Sequence, residues 1–223
     1  MPSTQPDYIP ALRFGWLTPV YDLTMRLTMR DPFFKLQLLK QADTPSDADV
    51  LDLGCGTATL SILAKQQNPL ARVSAVDIDS KILEIARRKT ARADVDIDFH
   101  KASVGELPFP DASFDRVLSC LVFHHLDRET KRAALEQSYR VLRPGGEIHI
   151  ADWGPPTGPL MRIAYLSLQL LDGFATTTDN AKGIIPQLMK GAGFIDARQT
   201  KHINTCFGTM ALYSGTKSAQ ERG

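Results

Sequence analysis

A chain of 223 residues, 43% of them apolar and 23% charged, suits one α/β domain spanning residues 1–223, which would bury roughly 70–75% of the surface its unfolded form exposes. Its formal charge is +1, with Lys and Arg scattered along the chain, so no basic stripe marks a nucleic-acid footprint and nucleic acid is not an expected partner. Cys55, Cys120 and Cys206 are odd in number and lack C-x-x-C spacing, which suggests neither a disulfide framework nor a metal site. With no signal pattern at the start and no apolar run near the ~20 residues of a membrane helix, the expected setting is the cytoplasm.

The first ten residues hold three prolines and little apolar material, and predict a loosely held end. From Phe14 to Ala42, Leu23, Leu27, Phe34, Leu38 and Leu39 recur at helical spacing, broken at Pro19 and at Asp31-Pro32. Two helices are expected here, within 11–46, ahead of the first strand. The next stretch, Val-Leu-Asp-Leu-Gly-Cys-Gly-Thr-Ala-Thr-Leu-Ser (50–61), reads as a strand, a tight turn and a helix N-terminus. Gly54 and Gly56 let the backbone turn and approach a ligand closely, and the helix adds unpaired N–H groups with a positive dipole end. A dinucleotide fingerprint needs a third glycine where Thr59 stands, which weakens a pyrophosphate reading. Asp52, two residues before the first glycine, would repel phosphate but suits a cation such as an α-ammonium.

Leu60, Leu63 and Ala64 face the first crossover helix inward until Asn68-Pro69. The strand that follows, within Arg-Val-Ser-Ala-Val-Asp-Ile-Asp (72–79), ends in acid, and Asp77 is placed to accept hydrogen bonds from two ribose hydroxyls. Asp79 or Ser80 can cap the next helix, whose Arg87, Arg88 and Lys89 suit a solvated, negative C-terminal end. Residues 95–100 alternate as a strand; a proline-stiffened loop (107–115) leads to strand four, Arg116 to Val122. Phe-His-His-Leu (123–126) then falls at the carboxyl edge of the sheet, where open α/β folds place ligands. His124 or His125 could take a proton from an acceptor, its unperturbed pKa being near neutral; orienting the loop by hydrogen bonding is the alternative.

Asp127 caps a helix running to Leu142, Arg143-Pro-Gly-Gly146 ends it, and Glu147 to Ala151 is strand five. Asp152-Trp153 lies at that strand's tip, with Trp153 either a wall against an apolar substrate or a buried aromatic. Leu160 to Phe174 reads as an apolar helix with Ile163, Leu166, Leu170 and Leu171 on one side. It is the candidate lid (154–183) over a hydrophobic acceptor, unless it packs on the core or forms a homodimer contact. Thr176 to Asn180 reads as a polar loop and hinge; a short helix (184–190) and two final strands complete the chain.

The ordered motifs "LDLGCGTATLS", "AVDID", "LPFPDASFDRVLS" and "RVLRPGGEI" resemble those of the class I S-adenosylmethionine-dependent methyltransferases, in particular the ubiquinone/menaquinone-biosynthesis type. The resemblance spans roughly residues 20–215. It implies a Rossmann-like doubly wound α/β sheet in the order 3-2-1-4-5-7-6 with strand 7 antiparallel. It implies S-adenosylmethionine as cofactor, S-adenosylhomocysteine as product and a small-molecule methyl acceptor. Cofactor positions carried over are Asp52, Gly54, Cys55, Gly56, Asp77, Ile78 against the adenine, Ser103 and Val104 at its amino edge, Cys120, and Tyr21 at the carboxylate. Two departures stand out: Ala58 replaces a frequent glycine, where a methyl group is expected to be tolerable in a helix's first turn, and Ser103 fills a slot often acidic. The expected reaction is in-line methyl transfer without metal or covalent enzyme intermediate. Rival readings are a nicotinamide oxidoreductase, disfavoured by Thr59 and Asp52, and a non-enzymatic cofactor sensor or partner-binding protein.

Overall fold

The computed structural model describes residues 31–219, so Tyr21 and the first of the two expected N-terminal helices lie outside the described residues. Seven strands form one sheet in the order β3-β2-β1-β4-β5-β7-β6. They are β1 (Asp49–Leu53), β2 (Arg72–Asp77), β3 (Asp98–Lys101), β4 (Phe114–Cys120), β5 (Leu142–Trp153), β6 (Ile195–Thr205) and β7 (Gly208–Thr216). β1 to β5 are parallel, whereas β7 runs antiparallel to both β5 and β6. The expected order and the antiparallel last strand are both present.

Helices cover both faces because the central strands are apolar on both sides. On one face Val50, Val73 and Ala75 pack beneath α1 (Asp31–Ala42), α2 (Thr59–Gln67) and α3 (Ser80–Arg92), through Phe34, Leu38, Leu60 and Leu83. On the other, Leu51, Leu53, Val76 and Val117 meet α4 (Arg128–Val141) and α7 (Ile185–Gly191), through Ala134, Leu135 and Met189. Each large side chain buried this way contributes about 1.5–3 kcal/mol. The last turn of α1 is tied to the sheet: Gln41 Nε2 donates to the Tyr213 carbonyl at 3.0 Å and Arg116 Nε donates to the Ala42 carbonyl at 2.8 Å.

Caps fall where short polar side chains permit them. Asp79 accepts from the amides of Lys81 and Ile82, and Asp127 from that of Thr130. Strand five is longer than expected. Arg143 to Gly146 continue β5 instead of turning, because Gly145 N donates to the Lys217 carbonyl and Lys217 N to the Gly146 carbonyl, extending the pairing past β7. The expected polar hinge at 176–180 is also corrected: Phe174–Ala181 is a helix, α6, following α5 (Pro159–Asp172). Thr177, Asp179 and Asn180 are buried in it, each bonded to a neighbouring element, so tertiary partners override their turn preference.

Candidate functional site

β1 connects to one side of the sheet and β4 to the other, so the crevice beyond the tips of these neighbours is the topological switch point. The loop leaving β1 is tightly determined. Gly54 has φ +73°, and a Cβ there would sit 2.6 Å from a Val122 methyl, so glycine is needed both for the turn and for the approach of the β4 tip. Gly54 N and Cys55 N both donate to the Val76 carbonyl, at 3.0 and 2.8 Å. Gly56, with φ +53°, faces open space instead: nothing lies within 4 Å of the position its Cβ would take. Its amide donates to Asp77 Oδ2 at 2.9 Å, and Asp77 Oδ1 accepts from the Asp79 amide at 3.0 Å. Each carboxylate oxygen keeps a second lone pair for a hydroxyl.

The expectation for Ala58 is corrected. It precedes α2 as the N-cap, with φ 60° and ψ 29°, so its Cβ is carried in a left-handed backbone and not in a first helical turn. Asp52 lies beneath the loop, 1% exposed, and takes the Ser61 hydroxyl as its hydrogen-bond donor. Burial pushes its pKa up to about 6, Ser61 and Lys35 opposing and Asp77 adding. An under-supported carboxylate is thus held below the open face of the loop, which matches a cationic ligand better than an anionic one. Burial, reinforced by Asp52 and Asp77, pushes the Cys55 thiol pKa up, leaving a packed group and no nucleophile.

Ile78, at 47% exposure, projects an apolar surface beside Asp77. Ser103 and Val104 follow β3 in a half-buried turn where the Ser103 hydroxyl accepts from Gly105 N at 3.2 Å and can still donate. Cys120 closes β4, half-buried. In the basic cluster of α3, Arg87 and Arg88 are exposed, as expected of a solvated helix end, whereas Lys89 is half-buried. Arg87 lies over the Phe99 ring at 5.6 Å, and Lys89 donates to the hydroxyls of Thr57 and Thr59, tying α3 to the glycine loop.

Beyond β4 the chain makes a strained turn. Leu121 has φ 60°, rare for so bulky a residue, and the Phe123–His125 3₁₀ turn follows. The two histidines separate sharply. His124 is buried, with Nδ1 2.8 Å from Asp152 Oδ1; His125 is exposed, its ring centroid 3.9 Å from that of His124. Asp152, fully buried, also accepts from the amides of Phe123, His124 and Trp153 and from Asn180 Nδ2. Burial would raise its pKa, but His124 and these donors outweigh that and hold it below the ordinary carboxylate value. An ionised Asp152 fixes the proton on His124 Nδ1. His125 reaches solvent with one side of its ring against His124. Desolvation, then His124, lowers its pKa to about 3 against the pull of Asp152, leaving it neutral at physiological pH.

The sequence places Asp152 and His124 at the sheet edge, but shows neither the bond between them nor the network around it. Asn180 also donates to the Trp153 carbonyl at 3.0 Å; Lys131, fully buried, donates to the carbonyls of Leu126 and Thr176; Arg128 binds Asp179. Asp152 stood beside a residue already singled out, but nothing local identified Asn180, 28 positions away, as its partner. Trp153 itself is buried, edge-on to Tyr165, and forms no substrate wall. Among the described residues no cluster of His, Cys, Asp or Glu could hold a metal ion.

Sheet order, glycine turn, terminal acid on β2 and open face at Gly56 together define an α/β fold built for a nucleoside-type cofactor. A methyltransferase-domain family model matches residues 50–146. A demethylmenaquinone methyltransferase from Thermus thermophilus is 32% identical over 92% of this chain and 99% of its own length. A ubiquinone/menaquinone biosynthesis C-methyltransferase from Desulfotalea psychrophila is 27% identical over 88% of this chain and 85% of its own. The crystal structure of the S-adenosylmethionine-dependent methyltransferase SibL in its apo form superposes with a TM-score of 0.69 at 23% identity, over 97% of this chain and 64% of that one. The chain belongs to the class I S-adenosylmethionine-dependent methyltransferases of the ubiquinone/menaquinone-biosynthesis type. It is therefore an enzyme with S-adenosylmethionine as its cofactor, which sets aside both the nicotinamide and the non-enzymatic readings.

Proposed function

We propose that the protein methylates a ring carbon of a small, largely apolar quinol-type acceptor, with His125 taking the ring proton that the new carbon–methyl bond displaces. The observation that carries the reading is the accessible, neutral His125 at the carboxyl edge, backed by a His124 that Asp152 fixes in one tautomer. The relative from Thermus thermophilus, named for demethylmenaquinone and alike from end to end, supports the acceptor class.

S-adenosylmethionine supplies an electrophilic methyl group on a cationic sulfur. Gly54 and Gly56 shape the surface that receives it, Asp77 accepts from the ribose hydroxyls, Ile78 covers the adenine face and Ser103 with Val104 meets the ring edge. Asp52 supplies a negative field beneath the cationic end. Cys55 and Cys120 pack around this surface. His125 moves the one proton the reaction releases; alignment and exclusion of water do the rest, worth about 7–11 kcal/mol at best.

Purified protein with S-adenosylmethionine and a short-tailed demethylmenaquinol should yield a product one methylene heavier by mass spectrometry. His125→Ala should lower kcat at least about a hundredfold with cofactor affinity unchanged by calorimetry. At saturating cofactor, kcat should hold on acidification through pH 6.5, since the histidine stays neutral down to about 3. Unchanged turnover in His125→Ala removes the base; no methylated product removes the acceptor.

A further inference from the structure

α5 carries apolar side chains toward solvent as well as against the core, where Tyr165 and Leu168 pack. Its inner side carries Tyr165, whose hydroxyl donates to the Thr177 carbonyl at 3.1 Å, and Gln169, 2% exposed, which bonds Thr177 and Arg162. Its outer side carries Leu160, Ile163, Leu166 and Leu170, exposed by 72, 65, 37 and 76%, and Phe174 at 50% opens α6. At 100° per residue these four leucine and isoleucine positions fall on one third of the helix circumference. In water such a row is a contiguous exposed apolar face of the kind that marks an interaction surface.

The location gives this exposed row a meaning. α5 leaves the tip of β5 and is seated through Tyr165 on Trp153, the last residue of that strand. It therefore lies at the edge where the crevice opens and where His125 stands. Resting on the acceptor reading above, a quinol with a polyprenyl tail resides in a bilayer, and among the described residues no helix is long and apolar enough to cross one. A helix lying on the bilayer surface would bring the site to that acceptor. A single row along a helix of 14 residues presents a strip of roughly 20 Å by 10 Å, well short of the ~800 Å² per partner of a stable dimer. An interfacial helix needs only one apolar face sunk about 5–10 Å into the headgroup boundary.

We infer that the outer face of α5, with Phe174, docks the enzyme on a lipid bilayer, laying the mouth of the acceptor site against the membrane.

The test is flotation of the full-length protein with phosphatidylcholine vesicles lacking acceptor. The wild type should float with the vesicles and continue to do so near 1 M salt, where the Debye length is about 3 Å and charge attraction is screened. Ile163→Glu with Leu170→Glu should lower the bound fraction about tenfold or more, with cofactor affinity by calorimetry unchanged as proof of folding. The double variant should keep kcat/KM on a short-tailed acceptor in solution and lose it on a vesicle-embedded one. A wild type that stays soluble, a double variant that floats equally well, or a wild-type dimer that the double variant splits without any vesicle binding would each overturn the docking face. Methylation of the short-tailed acceptor without vesicle binding sinks this inference and spares the proposed activity; vesicle binding with no quinol methylated does the reverse.

Discussion

Asp52 and Asp152 occupy matching places, each the penultimate residue of a parallel strand at the ligand edge, 1% and 0% exposed. Their surroundings are opposite. Asp152 receives five hydrogen bonds, from three backbone amides, His124 and Asn180, and its pKa is lowered. Asp52 receives the Ser61 hydroxyl, and its pKa is raised to about 6. A buried carboxylate surrounded by donors has finished its electrostatic work in the free protein and serves the fold. One left short of donors is costly until a cation arrives, which is how a binding residue behaves.

The largest effect should come from disturbing the satisfied member. Asp152→Asn removes the charge facing His124 and turns an amide against backbone donors. It should cost about 3–5 kcal/mol in denaturant unfolding. The sign of the pH dependence follows: a carboxyl whose folded pKa is depressed contributes stability that is present above its unfolded value near 3.8 and is lost as pH falls through the folded value. Wild type should thus lose an acid-sensitive part of its stability that the variant lacks. A variant as stable as wild type at pH 7 would erase the contrast between the two aspartates.

The glycines divide in the same way. Gly54→Ala forces a methyl against Val122 in a left-handed backbone and should destabilise by about 2–4 kcal/mol. Gly56→Ala meets no protein atom, so it should cost only about 1 kcal/mol in folding while weakening cofactor binding tenfold or more, since the methyl enters the ligand's space. Equal loss of stability in both variants would mean that the open face at Gly56 is not the cofactor's.

For Asp52 the signs invert. Its folded pKa, about 6, exceeds its unfolded value of 3.8, so its favourable contribution is complete below about pH 3.8 and disappears as pH rises through 6. Asp52→Asn should therefore be more stable than wild type at pH 8, by at most about 3 kcal/mol, yet bind cofactor at least about tenfold more weakly. Gaining stability and losing affinity together is the signature sought; a variant that loses both would make Asp52 a structural residue like Asp152.

What could be read from the sequence follows the same division. Gly56 and Asp77 act on each other within about one crossover unit, and Gly54 shapes its own turn, so turn chemistry and strand alternation reveal them, though not the approach of Val122 to Gly54. The strand order came with family resemblance. Asp152, Asn180 and Lys131 act through partners tens of residues away, and their types alone are equally at home on a surface. α5 is legible as an apolar-sided helix, but not the direction of that side: only Tyr165, Leu168 and Gln169 seated against the core reveal that the Leu160, Ile163, Leu166 and Leu170 row looks outward. Trp153 was ambiguous for the same reason, until Tyr165 closed over it.

The smallest effect concerns the residue where local reasoning went wrong. Ala58, fully buried with φ 60° and ψ 29°, holds a Cβ in a backbone region that costs such residues about 1–2 kcal/mol. Ala58→Gly relieves that strain but gives the unfolded chain more freedom, an opposing term of about 0.5–1 kcal/mol. The balance should be a gain of about 0.5–1 kcal/mol, or roughly 1–4 °C in Tm for a chain of this size. Because the methyl lies buried behind the loop and not on its open side, cofactor affinity should stay within about twofold of wild type by calorimetry. A fall in Tm would mean that the methyl's packing outweighs its backbone strain, and that the cradle is tuned around alanine as tightly as it is around Gly54.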